Sequence, residues 1–307
     1  MRAIKPLAAI AVALSLLVPL ARAQLPAGVK GIINNNIQNS VQQHDEAIDN
    51  ALEGQNEQPP EIVVPGTLKT GWLTRKGRDG KDVKLFFAYP ATLNKSKPTA
   101  GLIVLQEWWG VNKDMQERTQ DLASKGFYAV APDLFNGKVT DDPDEAAKLK
   151  NAMNNTAALS AMRTGLDLLS EEERNGIVNP LHVGVVGWCM GGEQGLKLAM
   201  ADPRIRATAI FYGPLETNPD LLGSVKGPVL GIFGNDDKNP SPQDVEKFKK
   251  ALFTTGKTGD QVTIYQYDGV GHAFASKSAA KMGAYNEEKA KDAFNHLYAW
   301  LDKTLPR

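Results

Sequence analysis

The stretch of sequence that decides the fold is VGVVGWCMGG, residues 183–192. Its first half is a short apolar run, typical of a strand that is covered on both faces of a sheet. Its second half frames Cys189 between two glycines, each two residues away, and a helical pattern follows. A strand that turns sharply into a helix needs such glycines, because Cβ atoms would clash at the turn. The motif therefore predicts a strand, a strained turn at Cys189, and a helix.

On both sides of this motif, apolar runs alternate with longer amphipathic segments. The predicted strands are 101–106, 127–131, 183–187, 207–212, 229–233 and 262–267, and the predicted helices are 113–125, a stretch within 144–173, 191–201, 242–254 and 285–304. Ahead of them, 72–74 and 83–89 flank a Gly-Arg-Asp-Gly turn and predict an antiparallel hairpin. Alternation of this kind predicts an α/β fold, with a mainly parallel sheet and helices on both faces.

The first residues have the pattern of a secretory signal peptide. A basic start precedes an apolar run over 7–20, and Ala-Arg-Ala at 21–23 fits a cleavage site after Ala23. The run is shorter than the ~20 apolar residues of a membrane span. We therefore expect 1–23 to be removed and the protein to be exported, periplasmic or secreted, with no stable membrane insertion afterwards.

A polar segment follows the predicted signal peptide. Residues 24–66 are rich in Asn, Gln and Glu, which indicates a flexible arm with at most one weak helix around 37–52. The folded domain is predicted to span 67–307.

Composition narrows the possible partners. Basic and acidic residues number 35 each, and no stretch concentrates positive charge, which argues against a nucleic-acid partner. The single cysteine excludes an internal disulfide, although export would permit one. No His and Cys spacing is typical of zinc, so neither a metal nor a cofactor is predicted.

Cys189 is the predicted nucleophile. The turn places its sulfur at the positive end of the following helix, which favours a thiolate. The N–H of Met190 then points to where the oxyanion of a tetrahedral intermediate would form. A lone cysteine is more commonly a small core residue, but the glycine frame at a strand–helix junction favours the functional interpretation.

The predicted base is His272, one of four histidines. His44 falls in the polar arm, His182 opens the strand that leads to Cys189, and His296 falls in the last helix. His272 lies in the glycine-rich segment 268–274, between the last strand and the last helix. A base that follows its nucleophile in the chain on such a loop is typical of hydrolases with a strand–turn–helix nucleophile.

The acid that orients the histidine is expected after a strand that lies between the nucleophile and His272 in sequence. The segment IFGNDDKNP, residues 232–240, supplies Asp236 and Asp237 there. We predict Asp236 for this role and Asp237 as a cap of the next segment, with the reverse assignment left open, because adjacent acids after a strand are common turn residues.

Five stretches together resemble one family. They are LQEWWGVN (105–112), APDLFNGK (131–138), GWCMGG (187–192), GNDD (234–237) and GHAFA (271–275). Through them the chain resembles the dienelactone hydrolase family of α/β-hydrolases over about residues 83–305. The resemblance implies the α/β-hydrolase fold. It also implies a carboxylic ester hydrolase, similar to carboxymethylenebutenolidase, that cleaves small esters or lactones through a thioester.

The resemblance also implies roles for particular residues. The triad would be Cys189, His272 and Asp236, and the N–H of Trp108 would be a second oxyanion donor beside Met190. A carboxylate of Glu107 near the sulfur would keep the thiol quiet until substrate arrives, because like charges repel. The alternative is that Glu107 caps the following helix or pairs with a surface cation.

The sequence departs from the family pattern where the substrate would bind. Members that act on dienelactones hold the substrate carboxylate with arginines, and the matching positions here carry Gly137 and Ser276. Lys138 is the candidate to replace these arginines in binding substrate, although it lacks the bidentate fork of arginine. Esters or other lactones are therefore the expected substrates, and Trp108 and Trp109 indicate an apolar or aromatic acyl group unless they are core residues.

Three other functions remain compatible with the sequence. One is a non-enzymatic binding protein with a vestigial thiol. Another is redox sensing or peroxide chemistry at Cys189, against which the lack of a resolving cysteine argues. The third is an amidotransferase-like enzyme, but such enzymes usually carry His directly after the cysteine, where this chain has Met190.

Overall fold

The structure, a computed structural model, describes residues 62–63 and 68–307. In these residues, one sheet is flanked by helices. The strands are β1 (Ile62–Val63), β2 (Leu68–Lys76), β3 (Asp82–Pro90), β4 (Thr99–Leu105), β5 (Tyr128–Pro132), β6 (Val178–Trp188), β7 (Ala207–Phe211), β8 (Val229–Gly234) and β9 (Val262–Tyr267). The helices are α1 (Lys113–Ser124), α2 (Pro143–Ala152), α3 (Asn155–Arg174), α4 (Met190–Ala201), α5 (Pro219–Leu222), α6 (Pro242–Thr254) and α7 (Glu287–Thr304), and a 3-10 helix spans Lys277–Met282.

The strand order is β1-β2-β3-β5-β4-β6-β7-β8-β9. The pairs β1–β2, β2–β3 and β3–β5 are antiparallel, and the pairs from β5–β4 to β8–β9 are parallel. The predicted hairpin is therefore β2–β3, and the predicted mainly parallel sheet is confirmed.

Alternation of side chains along the central strands builds a core on each face of the sheet. On β4, Leu102 and Val104 join one apolar cluster, while Ile103 and Leu105 join the other. The first cluster includes residues of α1 and α7, and the second includes residues of α3, α4 and α6. Each fully buried Leu, Ile or Val contributes about 1.5–3 kcal/mol relative to an exposed one. The two cores therefore make the sheet a firm support for the loops at its edge.

The predicted helical stretch within 144–173 is two helices. Its chain leaves helical geometry after Ala152, and Asn154 begins α3 by accepting a hydrogen bond from the N–H of Ala157 at 3.0 Å. Such an N-cap satisfies a backbone donor that the first turn leaves free. Asn154, placed just before the apolar face of α3, is thus the signal that the prediction did not use.

The N-terminal predictions fall mostly outside the described residues, including the signal peptide at 1–23 and the weak helix around 37–52. One part of the predicted arm is described: β1, which pairs with β2. The sheet therefore begins before residue 67. Within the described ranges, no helix is long and apolar enough to cross a membrane.

Candidate active site

The predicted site residues meet at one edge of the sheet. Strands β4, β6, β8 and β9 all run in the same direction. Because parallel strands end at the same edge, the loops that follow them lie together. Cys189 follows β6, Asp237 follows β8, and His272 follows β9.

The turn at Cys189 is strained and closely packed. Its backbone has φ 53° and ψ −121°, a left-handed conformation that a side chain rarely adopts. A Cβ atom on Gly187 would lie 2.1 Å from the carbonyl oxygen of Gly191, and one on Gly191 would lie 2.3 Å from that of Leu105. Both glycines are therefore needed for the close approach of backbone to backbone. The turn leaves Cys189 partly exposed at the start of α4.

Three side chains form a line of hydrogen bonds. His272 Nε2 lies 3.1 Å from Cys189 Sγ, and His272 Nδ1 lies 2.8 Å from Asp237 Oδ2. The His272 side chain is 37% exposed and that of Asp237 is 4% exposed. A nucleophile, a base and a buried acid in this order can move a proton from the sulfur and stabilise the resulting imidazolium.

The prediction of Asp236 as the acid beside His272 is wrong: the structure places Asp237 there. Asp236 is exposed, and Asp237 is buried. A turn after β8, closed by the Asp237 N–H donating to Gly234 O at 3.3 Å, directs the two side chains differently. Asp237 also caps the next segment as expected, since its Oδ1 accepts from the N–H of Asn239 at 2.9 Å.

The environment of His272 favours its protonated form. Burial alone would lower its pKa, but the hydrogen bonds with Asp237 and Cys189, together with their negative charges, outweigh burial and raise the pKa of His272 to about 10. An imidazolium beside the sulfur is the arrangement that stabilises a thiolate.

The two predicted oxyanion donors belong to segments that meet at the nucleophile turn. Met190 is the first residue of α4, and a first residue has no acceptor for its N–H within the helix. Trp108 lies in the loop after β4, and Leu105 and Gln106 of this segment pack against Gly191. The segment that leads to Trp108 therefore packs against the turn that leads to Met190.

The carboxylate of Glu107 was expected to pair with the Cys189 sulfur, but it has other partners. Its side chain is buried, and its Oε1 accepts from the Tyr212 hydroxyl at 3.2 Å while its Oε2 accepts from the Ser276 hydroxyl at 2.5 Å. Arg118 Nη2 lies 3.9 Å from Glu107 Oε2. In the described chain no hydrogen bond joins Glu107 to Cys189. The alternative, pairing with a cation, is closer to the structure. The cation, however, is the buried Arg118 and not a surface residue.

The predicted substrate-binding residues differ in exposure. Trp109 is 2% exposed, and its ring packs edge-on against that of Trp108, which is only partly buried. Lys138 is exposed, and its backbone lies against Gly110, which belongs to the loop of Trp108 and Trp109. Trp108 and Lys138 therefore keep exposed surface, whereas Trp109 is part of the core. Among the described residues, no group of three His, Cys, Asp or Glu side chains is placed to hold a metal ion.

Comparison with known proteins agrees with this architecture. The model of the dienelactone hydrolase family matches residues 86–305 of the chain. The chain belongs to the dienelactone hydrolase family. This confirms the predicted family, the α/β-hydrolase fold, and the predicted class of enzyme, a carboxylic ester hydrolase.

Individual family members are similar over most of their length. "Protein usf" of Aquifex pyrophilus is 31% identical over 67% of this chain and 88% of its own. A Salmonella typhimurium protein named "Putative carboxymethylenebutenolidase" is 26% identical over 79% of this chain and 91% of its own. The crystal structure of a "Putative Dienelactone Hydrolase" from Klebsiella pneumoniae superimposes with a TM-score of 0.64 and 26% identity, covering 77% of this chain and 99% of that one.

Two buried residues beside this site were not predicted from the sequence. Tyr212 directly follows β7, and its ring lies 5.3 Å from that of His272, centroid to centroid. Its position at the carboxyl end of a parallel strand was a usable signal. Arg118 is 7% exposed on α1, where Met115, Thr119 and Leu122 are also buried. A charged residue within the core-facing positions of an amphipathic helix was the signal for Arg118.

Proposed function

We propose that this chain hydrolyses small esters or lactones, with Cys189 as nucleophile, His272 as general acid and base, and Asp237 as the acid that orients His272. The observation that carries the proposal is the line of hydrogen bonds from Cys189 Sγ through both nitrogens of His272 to Asp237. Membership of a hydrolase family supports the same chemistry.

In the proposed acylation step, the Cys189 sulfur attacks the ester carbonyl carbon while His272 holds the proton taken from the thiol. The N–H groups of Met190 and Trp108 stabilise the oxyanion of the tetrahedral intermediate. As the intermediate collapses, the carbon–oxygen bond to the alcohol breaks and His272 gives its proton to the departing oxygen. The product of this step is a thioester on Cys189.

In the proposed deacylation step, water replaces the alcohol. The thioester sulfur carries no negative charge, so the contribution of Cys189 to the raised pKa of His272 disappears. The imidazole can then accept a proton from water as the water oxygen attacks the thioester carbonyl. The carbon–sulfur bond breaks, the acid leaves, and the Cys189 sulfur is restored beside the protonated His272. Asp237 holds the ring in place through both steps, because its other oxygen is fixed by the N–H of Asn239.

The proposed substrates are neutral esters or lactones. The names of the relatives point to carboxymethylenebutenolide, a lactone with a carboxylate. Here Ser276, where dienelactone-cleaving members have arginine, is buried and donates to Glu107. Gly137 has no side chain to offer, and its φ of 89° disfavours any other residue. This leaves exposed Lys138 as the nearby cation in sequence, without an arginine's fork.

The test is turnover of p-nitrophenyl esters of increasing acyl length by wild type, Cys189→Ala and Cys189→Ser. We expect Cys189→Ala to lose at least about 1000-fold in kcat/KM, because it removes the attacking atom. Cys189→Ser should retain little activity, since a hydroxyl is a much weaker nucleophile than the sulfur it replaces. Equal rates in the three proteins would exclude the proposal. Circular dichroism spectra of the variants check that all are folded.

A further inference from the structure

Arg118 is a charged residue inside the apolar layer beneath the active site. It lies on α1 and is 7% exposed, and burial of a guanidinium is costly unless it is paired. Replacing such a buried pair by well-packed apolar residues is often neutral or stabilising. Arg118 therefore needs an explanation other than the stability of the core.

The contacts of Arg118 reach two loops of the site directly. Its Nη2 donates to the carbonyl oxygen of Ala275, three residues after His272, at 3.1 Å. The same nitrogen lies 3.9 Å from Oε2 of Glu107, which directly precedes the oxyanion donor Trp108. Arg118 thus joins the histidine loop to the loop after β4.

A third contact reaches the nucleophile turn. The Arg118 guanidinium carbon lies 4.8 Å from the ring centroid of Trp188, the residue before Cys189. The Trp188 side chain is fully buried, so this cation–π contact is desolvated and stronger than one on the surface. One side chain therefore contacts a neighbour of the nucleophile, a neighbour of an oxyanion donor, and the loop of the base.

The partners of Arg118 are themselves fixed. Its Nη2 donates to Asp114 Oδ2 at 3.0 Å, one turn earlier on α1, and Asp114 also accepts from the Ser278 hydroxyl at 3.1 Å. Both oxygens of Glu107 are bonded, to Tyr212 and to Ser276. Burial alone would lower the pKa of Arg118, but Glu107 and the other negative neighbours outweigh it and raise this pKa. The guanidinium is therefore charged, and it is held through Nη2 and through its contact with Trp188, whereas Nη1 has no hydrogen-bond partner among the described residues.

We propose that Arg118 is a positioning residue for the reaction. Its buried guanidinium holds the Glu107–Trp108 segment, Trp188 and the Ala275 carbonyl in one arrangement, so that the oxyanion donors and His272 keep their distances from Cys189. The inference rests on the proposed function, because it assigns Arg118 a part in the same chemistry. A misplacement of about 1 Å at such a site costs about 100-fold in rate.

Two substitutions separate positioning from simple neutralisation of Glu107. Arg118→Met keeps much of the apolar volume and removes the charge. Arg118→Lys keeps the charge but loses the flat contact with Trp188 and the planar fork. The matched control is Arg75→Met, which breaks a half-buried pair with Glu171 (3.0 Å) on β2, outside the site.

The first measurement is the acylation rate constant from the burst of p-nitrophenolate in stopped flow, with the thermal unfolding temperature measured alongside. We expect acylation to fall about 100-fold in Arg118→Met and about tenfold in Arg118→Lys. The apparent dissociation constant of the ester should change less than about threefold, since Arg118 does not touch substrate. Arg118→Lys should recover the unfolding temperature to within about 3 °C of wild type. Arg75→Met should acylate at the wild-type rate.

Two results would overturn the inference. One is acylation by Arg118→Met within twofold of wild type. The other is full recovery of both stability and acylation in Arg118→Lys, which would mean that Arg118 only neutralises Glu107. Failure of the proposed function is recognised separately, since Cys189→Ala would then match wild type.

A second measurement does not depend on ester turnover. Alkylation of Cys189 by iodoacetamide at pH 6 reports its contact with the imidazolium, because the positive charge stabilises the reactive anionic sulfur. We expect the alkylation rate constant to fall about tenfold in Arg118→Met and to be unchanged in Arg75→Met. Equal rates in Arg118→Met and wild type would contradict the inference even if no ester were found.

Discussion

Asp236 and Asp237 stand side by side after β8, yet they lie in different environments. Asp236 points into solvent, whereas Asp237 is buried with one oxygen on His272 and the other on the N–H of Asn239. A carboxylate held on both oxygens fixes the direction of the imidazole as well as its charge. Chemistry at this site thus depends on which of two identical side chains the turn directs inward.

Replacement of each aspartate by asparagine tests this assignment. We expect Asp237→Asn to lower kcat/KM at least about 100-fold, because the amide cannot stabilise the imidazolium and favours a different tautomer. Asp236→Asn should stay within about twofold of wild type, as surface substitutions usually do. Steady-state rates with one p-nitrophenyl ester decide the matter. A larger loss in Asp236→Asn would return the role to that residue.

The raised pKa of His272 gives a prediction on pH. The imidazolium that protonates the departing alcohol is present below about pH 10 and is lost as pH rises through that value. The kcat/KM for an alkyl ester, whose alkoxide needs a proton to leave, should therefore decline near pH 10. In Asp237→Asn the decline should move to lower pH, because a hydrogen bond that raises the pKa is weakened. Proton NMR of ester and acid between pH 6 and 11 measures both profiles, and a decline that Asp237→Asn leaves unmoved would argue against this account.

The same shift has a consequence for stability. The folded-state pKa of His272 lies above the unfolded value of about 6.5. Its contribution to the free energy of unfolding is therefore fully present below about pH 6.5 and is lost as pH rises from there to about 10.

For individual residues of the site, the sequence predicted the nucleophile and the base better than it predicted which side chains contact each other. Cys189 and His272 could be placed because the glycine frame and the chain order leave few alternatives. The choice of Asp236 over Asp237 was wrong, because it depends on the geometry of a turn closed by one backbone hydrogen bond. The pairing of Glu107 with Arg118 could not be predicted either, because the two residues meet through the packing of α1 on the sheet.

At the scale of elements, the decisive contact is between the turn before α4 and the end of β4. Gly191 has no room for a Cβ atom, because Leu105 O and Gln106 O lie 2.3 Å and 2.5 Å from its ideal position. The next residues of that segment are Glu107 and Trp108. The same glycine therefore sets the distance between the nucleophile turn and the loop of the second oxyanion donor.

Gly191→Ala should disturb both stability and catalysis. Backbone atoms at this distance must shift, and overpacking of this kind costs about 1–3 kcal/mol. For a protein of this size the unfolding temperature should fall by about 3–10 °C. We also expect a loss in kcat/KM, because the Trp108 segment moves away from Cys189. Gly259→Ala, where no atom lies within 4 Å of the added Cβ, is the control. A Gly191→Ala variant as stable and active as this control would refute the packing argument.

Elements were predictable where the pattern of apolar residues is strong. Helix α6 has the bounds expected from sequence, because its buried residues recur at helical spacing. Strand β9 also has the expected bounds, although Val262 alone of its residues is buried. The split between α2 and α3 and the early start of β6 at Val178 were not predicted. The split depends on the N-cap at Asn154, and the early start of β6 depends on its pairing with β4 at Thr99. Weak apolar periodicity reveals neither.

At the scale of the whole molecule, parallel strands collect loops that are far apart in sequence. Cys189 and His272 are separated by 83 positions, and Glu107 and Ser276 by 169. The two apolar layers on the faces of the sheet hold these loops in place. Because the site is built from loops that follow several strands of the sheet, its geometry depends on most of the described chain.

The N-terminal segment gives a prediction for the protein as it is produced. We expect export with cleavage after Ala23, so that the mature chain begins at Gln24. The intact mass of the protein recovered from the periplasm or medium of an expressing bacterium measures this directly. Substitution of Ala23 by a large charged residue should block cleavage, since the site requires small side chains. Protein that stays in the cytoplasm at its full-length mass would contradict export.

The most direct test of the central claim is to trap the acyl group. Wild type is mixed with a saturating p-nitrophenyl ester, quenched in acid within milliseconds, and digested for mass spectrometry. We predict that the peptide containing Cys189 gains the mass of the acyl group, that hydroxylamine removes it, and that Asp237→Asn forms it more slowly. Turnover without an adduct on Cys189, or an acyl group on another residue, would contradict the account.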